Sequence, residues 1–201
     1  MRRLLFAVLL SVESLRPIAA QDSLPPSITN DGVLRASALV DSVYIDRQLD
    51  RATVPGGDFV SYLIARLGVR PIPATLTLGV IVDTGRVALT GKVRDLPPEA
   101  RGALGPILSF LDPETDILAD VGLTVVGPRA VRYRLRQVLV NGVPLPEALL
   151  QFAMSQVGRQ YPALTASGRD LYIAIPYRAG MALVSGGVLL TAPPAGGPAG
   201  Q

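Results

Sequence analysis

The chain of 201 residues has no cysteine, no histidine and no tryptophan. Without cysteine there are no disulfide staples, no thiol nucleophile and no lipoprotein anchor behind a leader. Without histidine there is no serine or cysteine triad with an imidazole base, no histidine-ligated zinc or haem, and no ordinary proton shuttle near neutral pH. Phosphate loops of the common glycine-rich kinds are not expected either, since "PGGD" lacks the lysine and no strand is expected before it, and "GGPAGQ" falls in an expected terminal tail. Long apolar runs are also lacking, because Arg, Asp, Gly or Pro interrupts every stretch that approaches the roughly 20 residues a membrane-spanning helix needs. These absences point away from catalysis. No catalytic residue, metal ligand or cofactor site is expected.

What is present is aliphatic: 49% of residues are hydrophobic and only 5% aromatic. The first residues, "MRRLLFAVLLSVESLRPIAAQDS", combine two arginines, a short apolar run and small residues before a cleavage point. Residues 1–20 therefore read as a secretory signal peptide, with an uncleaved N-terminal anchor as the alternative. Export to the periplasm or cell envelope is the expectation. Removing residues 1–20 leaves 16 basic and 15 acidic side chains, which gives no reason to expect a nucleic-acid partner.

Residues 21–32 read as a loose lead-in, 33–192 as a single domain, and 193–201, rich in Pro and Gly, as a disordered tail. A strand is expected around Ser42 to Leu49. Three units of helix followed by hairpin come next. In the first, Asp58 is expected to cap a helix with Phe59, Val60, Leu63, Ile64 and Leu67 on one side, and "TLTLGVIVDTGRVALTGKV" alternates on both sides of Asp83-Thr84-Gly85-Arg86. In the second, "PPEARGALGPILSFLD" is the helix, and "ILADVGLTVVG" and "AVRYRLRQVLV" turn at Gly127-Pro128. The third starts at Asn141-Gly142, continues as a helix with Leu149, Leu150, Phe152, Ala153, Met154 and Val157 on a broad apolar side, and closes with "DLYIAIP" and "MALVSGGVLLTA". The fold class is thus α+β: a curved antiparallel sheet built from successive hairpins, with about three helices packed on its apolar face.

Two patterns invite a functional reading. "DPETD", Asp112 to Asp116, carries three carboxylates but lacks the Gly and closing Glu of a calcium loop, and a helix cap with Pro113 at the first position explains it. Arg132, Arg134 and Arg136 share one strand face. They suit anionic headgroups, or equally a solvated face paired with acidic neighbours such as Asp83 or Asp95.

The order "PGGDFVSYLIARL", "GVIVDTGRVALTGKV", "VNGVPLPEALLQFAMSQV" and "LYIAIP…GMALVSGGVLL" resembles bacterial exported lipid-binding proteins of the tubular lipid-binding (TULIP-like) superfamily, over about Ser42 to Ala192. The resemblance implies a long bent sheet around helices, no catalytic constellation, and lipid or another long apolar ligand in a groove. By position, Leu76, Leu78, Val80 and Val82 would meet Leu149, Phe152 and Ala153 there, with the three arginines at the headgroup. Peripheral contact with a membrane is compatible with this reading. A structural or assembly module of the envelope that binds a protein partner is the alternative.

Overall fold

The turns of this chain build most of its sheet. The structure, a computed structural model, describes residues 27–66, 70–74, 76–96, 111–160 and 165–194. Among them are three α-helices, α1 (Asn30–Tyr44), α2 (Gly56–Arg66) and α3 (Glu147–Gln160). The strands are β1 (Arg51–Pro55), β2 (Gly79–Asp83), β3 (Arg86–Lys92), β4 (Asp116–Val126), β5 (Ala130–Val140), β6 (Val143–Pro144), β7 (Thr165–Ser167), β8 (Asp170–Ala174), β9 (Gly180–Val184) and β10 (Gly187–Thr191). The fold is α+β and wholly antiparallel in its pairing, as expected.

Seven strands form one sheet in the order β2-β3-β4-β5-β8-β7, with β6 paired to β5. The Asn141–Gly142 turn between β5 and β6 has both central residues at positive φ, 49° and 78°, the backbone a two-residue hairpin of matching twist requires. The long β4–β5 hairpin contains a bulge: Asp120 faces Gln137 and Val121 faces Leu135, which leaves Arg136 as the extra residue.

The remaining strands make a separate three-stranded sheet, β1-β10-β9. The closing "MALVSGGVLL" hairpin therefore leaves the large sheet and pairs with Arg51–Pro55, far away in sequence. Its turn docks back: Gly186 donates to the Val82 carbonyl and accepts from Gly56, each at 2.9 Å. A side chain at Gly56 would collide with Val82, so only glycine lets α2 start this close to β2.

The stretch expected as a strand, Ser42 to Leu49, is instead the end of α1 and the loop after it. Its helical signal is the run Val33, Ala36, Val40 and Val43, spaced for one buried helix face. The ordered fold also takes in Ser27 to Gly32, which the lead-in reading left outside. Ser27 bridges to Gly79, Ile28 is buried, and Thr29 caps α1 by accepting the Gly32 amide at 2.9 Å.

Helices α1 and α2 pack on each other and on the small sheet, α2 also packs on β2, and β9 lies against β4 and β2. The core is enclosed between these layers, with Leu190, Val43, Val54, Val80, Val131 and Val188 wholly buried. Each such side chain contributes about 1.5–3 kcal/mol by leaving water. Asp58 is not the cap of α2 but sits in its first turn, where it accepts a bidentate pair of bonds from Arg35 of α1 at 2.7 and 2.8 Å. Beside it, buried Ser61 accepts from the Thr29 amide and donates to the Gly57 carbonyl.

The broad apolar side of α3 meets the short edge strand β7 rather than the middle of the large sheet. Leu150 and Met154 are buried, whereas Phe152 is 41% exposed. The expected helix over "PPEARGALGPILSFLD" lies, up to its Phe110, outside the described residues, as do Leu67, Thr75 and the last seven residues of the expected tail.

Candidate functional site

A cleft of about 1440 Å³ opens where the first turn of α1, the loop before β2 and the lower ends of β3, β4 and β5 converge. Several bonds hold its walls. The Asn30 side chain donates to the Ile72 carbonyl at 3.1 Å and accepts the Ile72 amide at 2.9 Å, which pins the loop to α1. Leu78 rests over Gly91 of β3 so closely that a Cβ there would overlap it. Asn141 joins the β5–β6 turn to the start of β4, through its side-chain oxygen to the Asp116 amide and its own amide to the Asp116 carbonyl.

The inner lining is aliphatic: Ile28, Ile72, Leu76, Leu78, Ile117, Leu118 and Leu139. The rim has two cations, Lys92 and Arg94, and three carboxylates, Asp31, Asp95 and Asp116. Both cations are already engaged. Glu114 bonds the Lys92 ammonium at 2.7 Å and also pairs with Arg94, while Asp95 lies 3.8 Å from Arg94. The hydrogen bond to Glu114, with its negative charge, holds the Lys92 ammonium above its ordinary pKa. Acidic groups therefore dominate the mouth, which favours an uncharged or cationic polar end on any apolar ligand.

"DPETD" is a turn next to this rim and not a helix cap, and its Asp116 lines the cleft. Asp112 closes a turn on the Glu114 and Thr115 amides, and Asp116 already belongs to β4. The carboxylates serve the turn and its two neighbouring cations.

Of the seven apolar residues expected to line a groove, Leu76 and Leu78 line this cleft. Val80 and Val82 point into the closed core. Leu149, Phe152 and Ala153 sit on α3 against β7, at the opposite edge of the sheet order from β2. The structure does not join the two groups into one groove. The aliphatic residues that sequence reasoning missed are Ile28, Ile72, Ile117, Leu118 and Leu139. The only hint of the last three was that "ILAD" and "QVLV" are apolar at consecutive positions, as strands covered on both faces tend to be.

The three arginines lie elsewhere, on the outer face of β5. Arg134 makes a bidentate pair with buried Asp170 at 2.7 and 2.8 Å. Its hydrogen bond lowers the pKa of that carboxylate against the opposing effect of burial. Arg136 leaves the bulge, lies over Gly122 and donates to the Gly85 carbonyl at 3.0 Å, where it braces the β2–β3 turn. The buried Nε of Arg132 has no hydrogen-bond partner among the described residues. Arg86 stands 3.8 Å from Asp120. The acidic partners of this face are Asp170 and Asp120, not Asp83 or Asp95, and none of the three arginines lines the cleft.

Two tyrosines fasten the other side of the core. The Tyr44 hydroxyl donates to the Gly180 carbonyl at 2.7 Å, and burial, with Tyr62 nearby, pushes its pKa up to about 12. Burial raises Tyr133 further still, and its hydroxyl reaches only the Met181 thioether at 3.4 Å. These are protonated structural groups at any ordinary pH. No family model, curated protein or solved structure matches the chain.

Proposed function

We propose that this protein binds a lipid or another long apolar ligand without transforming it, and that it does so outside the cytoplasm. The supporting observation is the aliphatic cleft of about 1440 Å³, with its polar, net acidic rim. That volume exceeds the roughly 300–1000 Å³ of ordinary small-molecule pockets and suits an extended chain. The export signal read in residues 1–20 and the resemblance to tubular lipid-binding proteins belong to the same proposal. So does the non-catalytic reading, which draws on the missing histidine and cysteine.

Native mass spectrometry of protein purified without detergent, with lipid extraction of the same sample, tests the reading. A retained apolar ligand is expected. Leu118→Arg, which places a charge in the lining, and Thr90→Trp, which fills the space, should each weaken retention about tenfold or more, equivalent to about 1.4 kcal/mol. A wild-type protein that stays free of ligand after incubation with envelope lipids would sink the proposal.

One observation favours the alternative of an assembly module. Leu34 in the early part of α1 and Ile45, the residue that follows it, are 69% and 70% exposed. On that reading, Leu34→Glu with Ile45→Glu would release a co-purifying protein and leave ligand retention unchanged.

A further inference from the structure

The mouth of the cleft carries more acid than its own bonds engage. Among the described residues, the segments that form it hold five carboxylates, Asp31, Asp95, Asp112, Glu114 and Asp116, against three cations, Arg70, Lys92 and Arg94. Glu114 pairs with both Lys92 and Arg94, and the Asp95 carboxylate accepts the Lys92 amide at 3.0 Å. The Asp112 carboxylate accepts the Glu114 amide at 2.7 Å. Asp31 and Asp116 remain. Both line the cleft, and their carboxylates make no hydrogen bond or salt bridge among the described residues.

The cations that act on these two carboxylates are each held by another acid. Asp116 stands opposite Lys92 in the β3–β4 register, and Lys92 is held first by Glu114 and only then by Asp116. Arg35, one turn along α1 from Asp31, is held first by its bidentate bonds to Asp58 and last by Asp31. The N-terminal end of α1 adds about half a positive charge beside Asp31, which offsets part of one carboxylate. The balance at the mouth stays negative.

We infer that the cleft selects a long-chain amphiphile with a positively charged, ammonium-type end. This rests on the reading of the cleft as a site for a long apolar ligand, and it names the chemistry of that ligand's polar end. Ionised carboxylates only accept hydrogen bonds, so an ammonium group supplies both the charge and the donors that Asp31 and Asp116 lack. A carboxylate or phosphate end would meet the same two groups as like charges and would have to compete with Glu114 for Lys92 and Arg94. The lysine side chain of a basic peptide has the right charge, but its four-carbon stem would leave most of the aliphatic lining of a 1440 Å³ cleft without contact.

Isothermal titration calorimetry of the whole chain with dodecylammonium, dodecanoate and dodecyl maltoside, each below its micelle concentration, tests it. In water, a unit charge a few ångströms from a carboxylate changes affinity by a factor of roughly five, with salt reducing the effect. Attraction of one end and repulsion of the other should therefore make dodecylammonium bind about tenfold more tightly than dodecanoate, with the ratio falling as salt rises. Asp31→Asn with Asp116→Asn should bring the ratio close to one. Asp46→Asn with Asp50→Asn makes the same change in net charge at exposed positions beyond the other end of α1, and should leave the ratio as it is. An unchanged urea midpoint checks the fold, since neither Asp31 nor Asp116 has a side-chain bond to lose. Equal affinity for the two charged ends, tighter binding of dodecanoate, or the same loss of preference in both double variants would overturn the inference while the cleft kept its apolar ligand. Failure of all three amphiphiles to bind would remove the reading of the cleft itself, and the inference with it.

Discussion

The two ends of the β4–β5 hairpin share the same two strands and have different character. At the lower end, where β4 begins and β5 finishes, carboxylates crowd a wide aliphatic cleft: Asp31, Asp95, Glu114 and Asp116 hold or outnumber Lys92 and Arg94. At the upper end the strands meet in a compact tip where the guanidinium groups of Arg129 and Arg178 lie over the Tyr177 ring. They are fastened differently as well. Near the cleft, Thr29, Ser61, Asp58 and Arg35 tie α1 to α2 through hydroxyl and charged bonds. At the far end of α1, Tyr44 ties the helix to β9 through a buried phenol. One strand pair can thus present an acidic apolar recess at one end and a compact tip at the other, because the strands run roughly 35 Å end to end, several Debye lengths at physiological salt.

The harshest way to break this contrast is to remove what both ends share. Leu190 is wholly buried in the common core, and Leu190→Ala should cost about 2–5 kcal/mol, read as a fall in the urea midpoint. If the ends depend on one core, ligand retention and the hydrogen-exchange protection of the Ile175 and Arg178 amides should be lost together in that variant. Loss of one alone would mean that they belong to separately stable units.

A smaller change should separate them. Ser61→Ala leaves the Thr29 amide without its partner at the cleft end, at a cost of about 1–2 kcal/mol. Hydrogen exchange should accelerate around Thr29 and Gly32 and stay unchanged at Gly180 and Met181. Equal acceleration at both would contradict separate fastening.

The smallest effect at neutral pH, visible only in alkali, concerns Tyr44. Its folded pKa of about 12 lies above the ordinary value of 10. The neutral phenol therefore adds stability in full below pH 10, and that contribution is lost as pH rises from 10 through 12. Tyr44→Phe should flatten the alkaline stability curve in that window and leave the curve near pH 7 displaced by no more than the loss of the bond to Gly180. A titration unchanged by Tyr44→Phe would refute the assignment.

Legibility followed sequence distance. The Asp83–Arg86 hairpin, the Gly127–Pro128 turn and the Asn141–Gly142 break are all in place, because a turn needs only its own residues to declare itself. Alternation also put Arg132 and Arg134 on one strand face, and Val131 and Tyr133 between and beside them are buried. The pairing of β1 with β10 was not readable, since nothing local in "RATVP" indicates a partner near the other end of the chain. The candidate site was half legible. Leu76 and Leu78, put in a groove by the resemblance, do line the cleft, but the cleft also needs Ile28, which belonged to a polar lead-in by composition, and Leu139, which was read only as part of a strand.

The sequence by itself determined the α+β class, the antiparallel hairpins and the absence of imidazole and thiol chemistry, because these depend on residue type and on spacings of a few positions. Tertiary structure alone decided that the strands divide into two sheets, that α3 packs on an edge, and that Arg134 is consumed by Asp170 while Arg129 and Arg178 meet over Tyr177. Those outcomes depend on which distant surfaces exclude water from each other, and that competition is settled only when the whole chain packs.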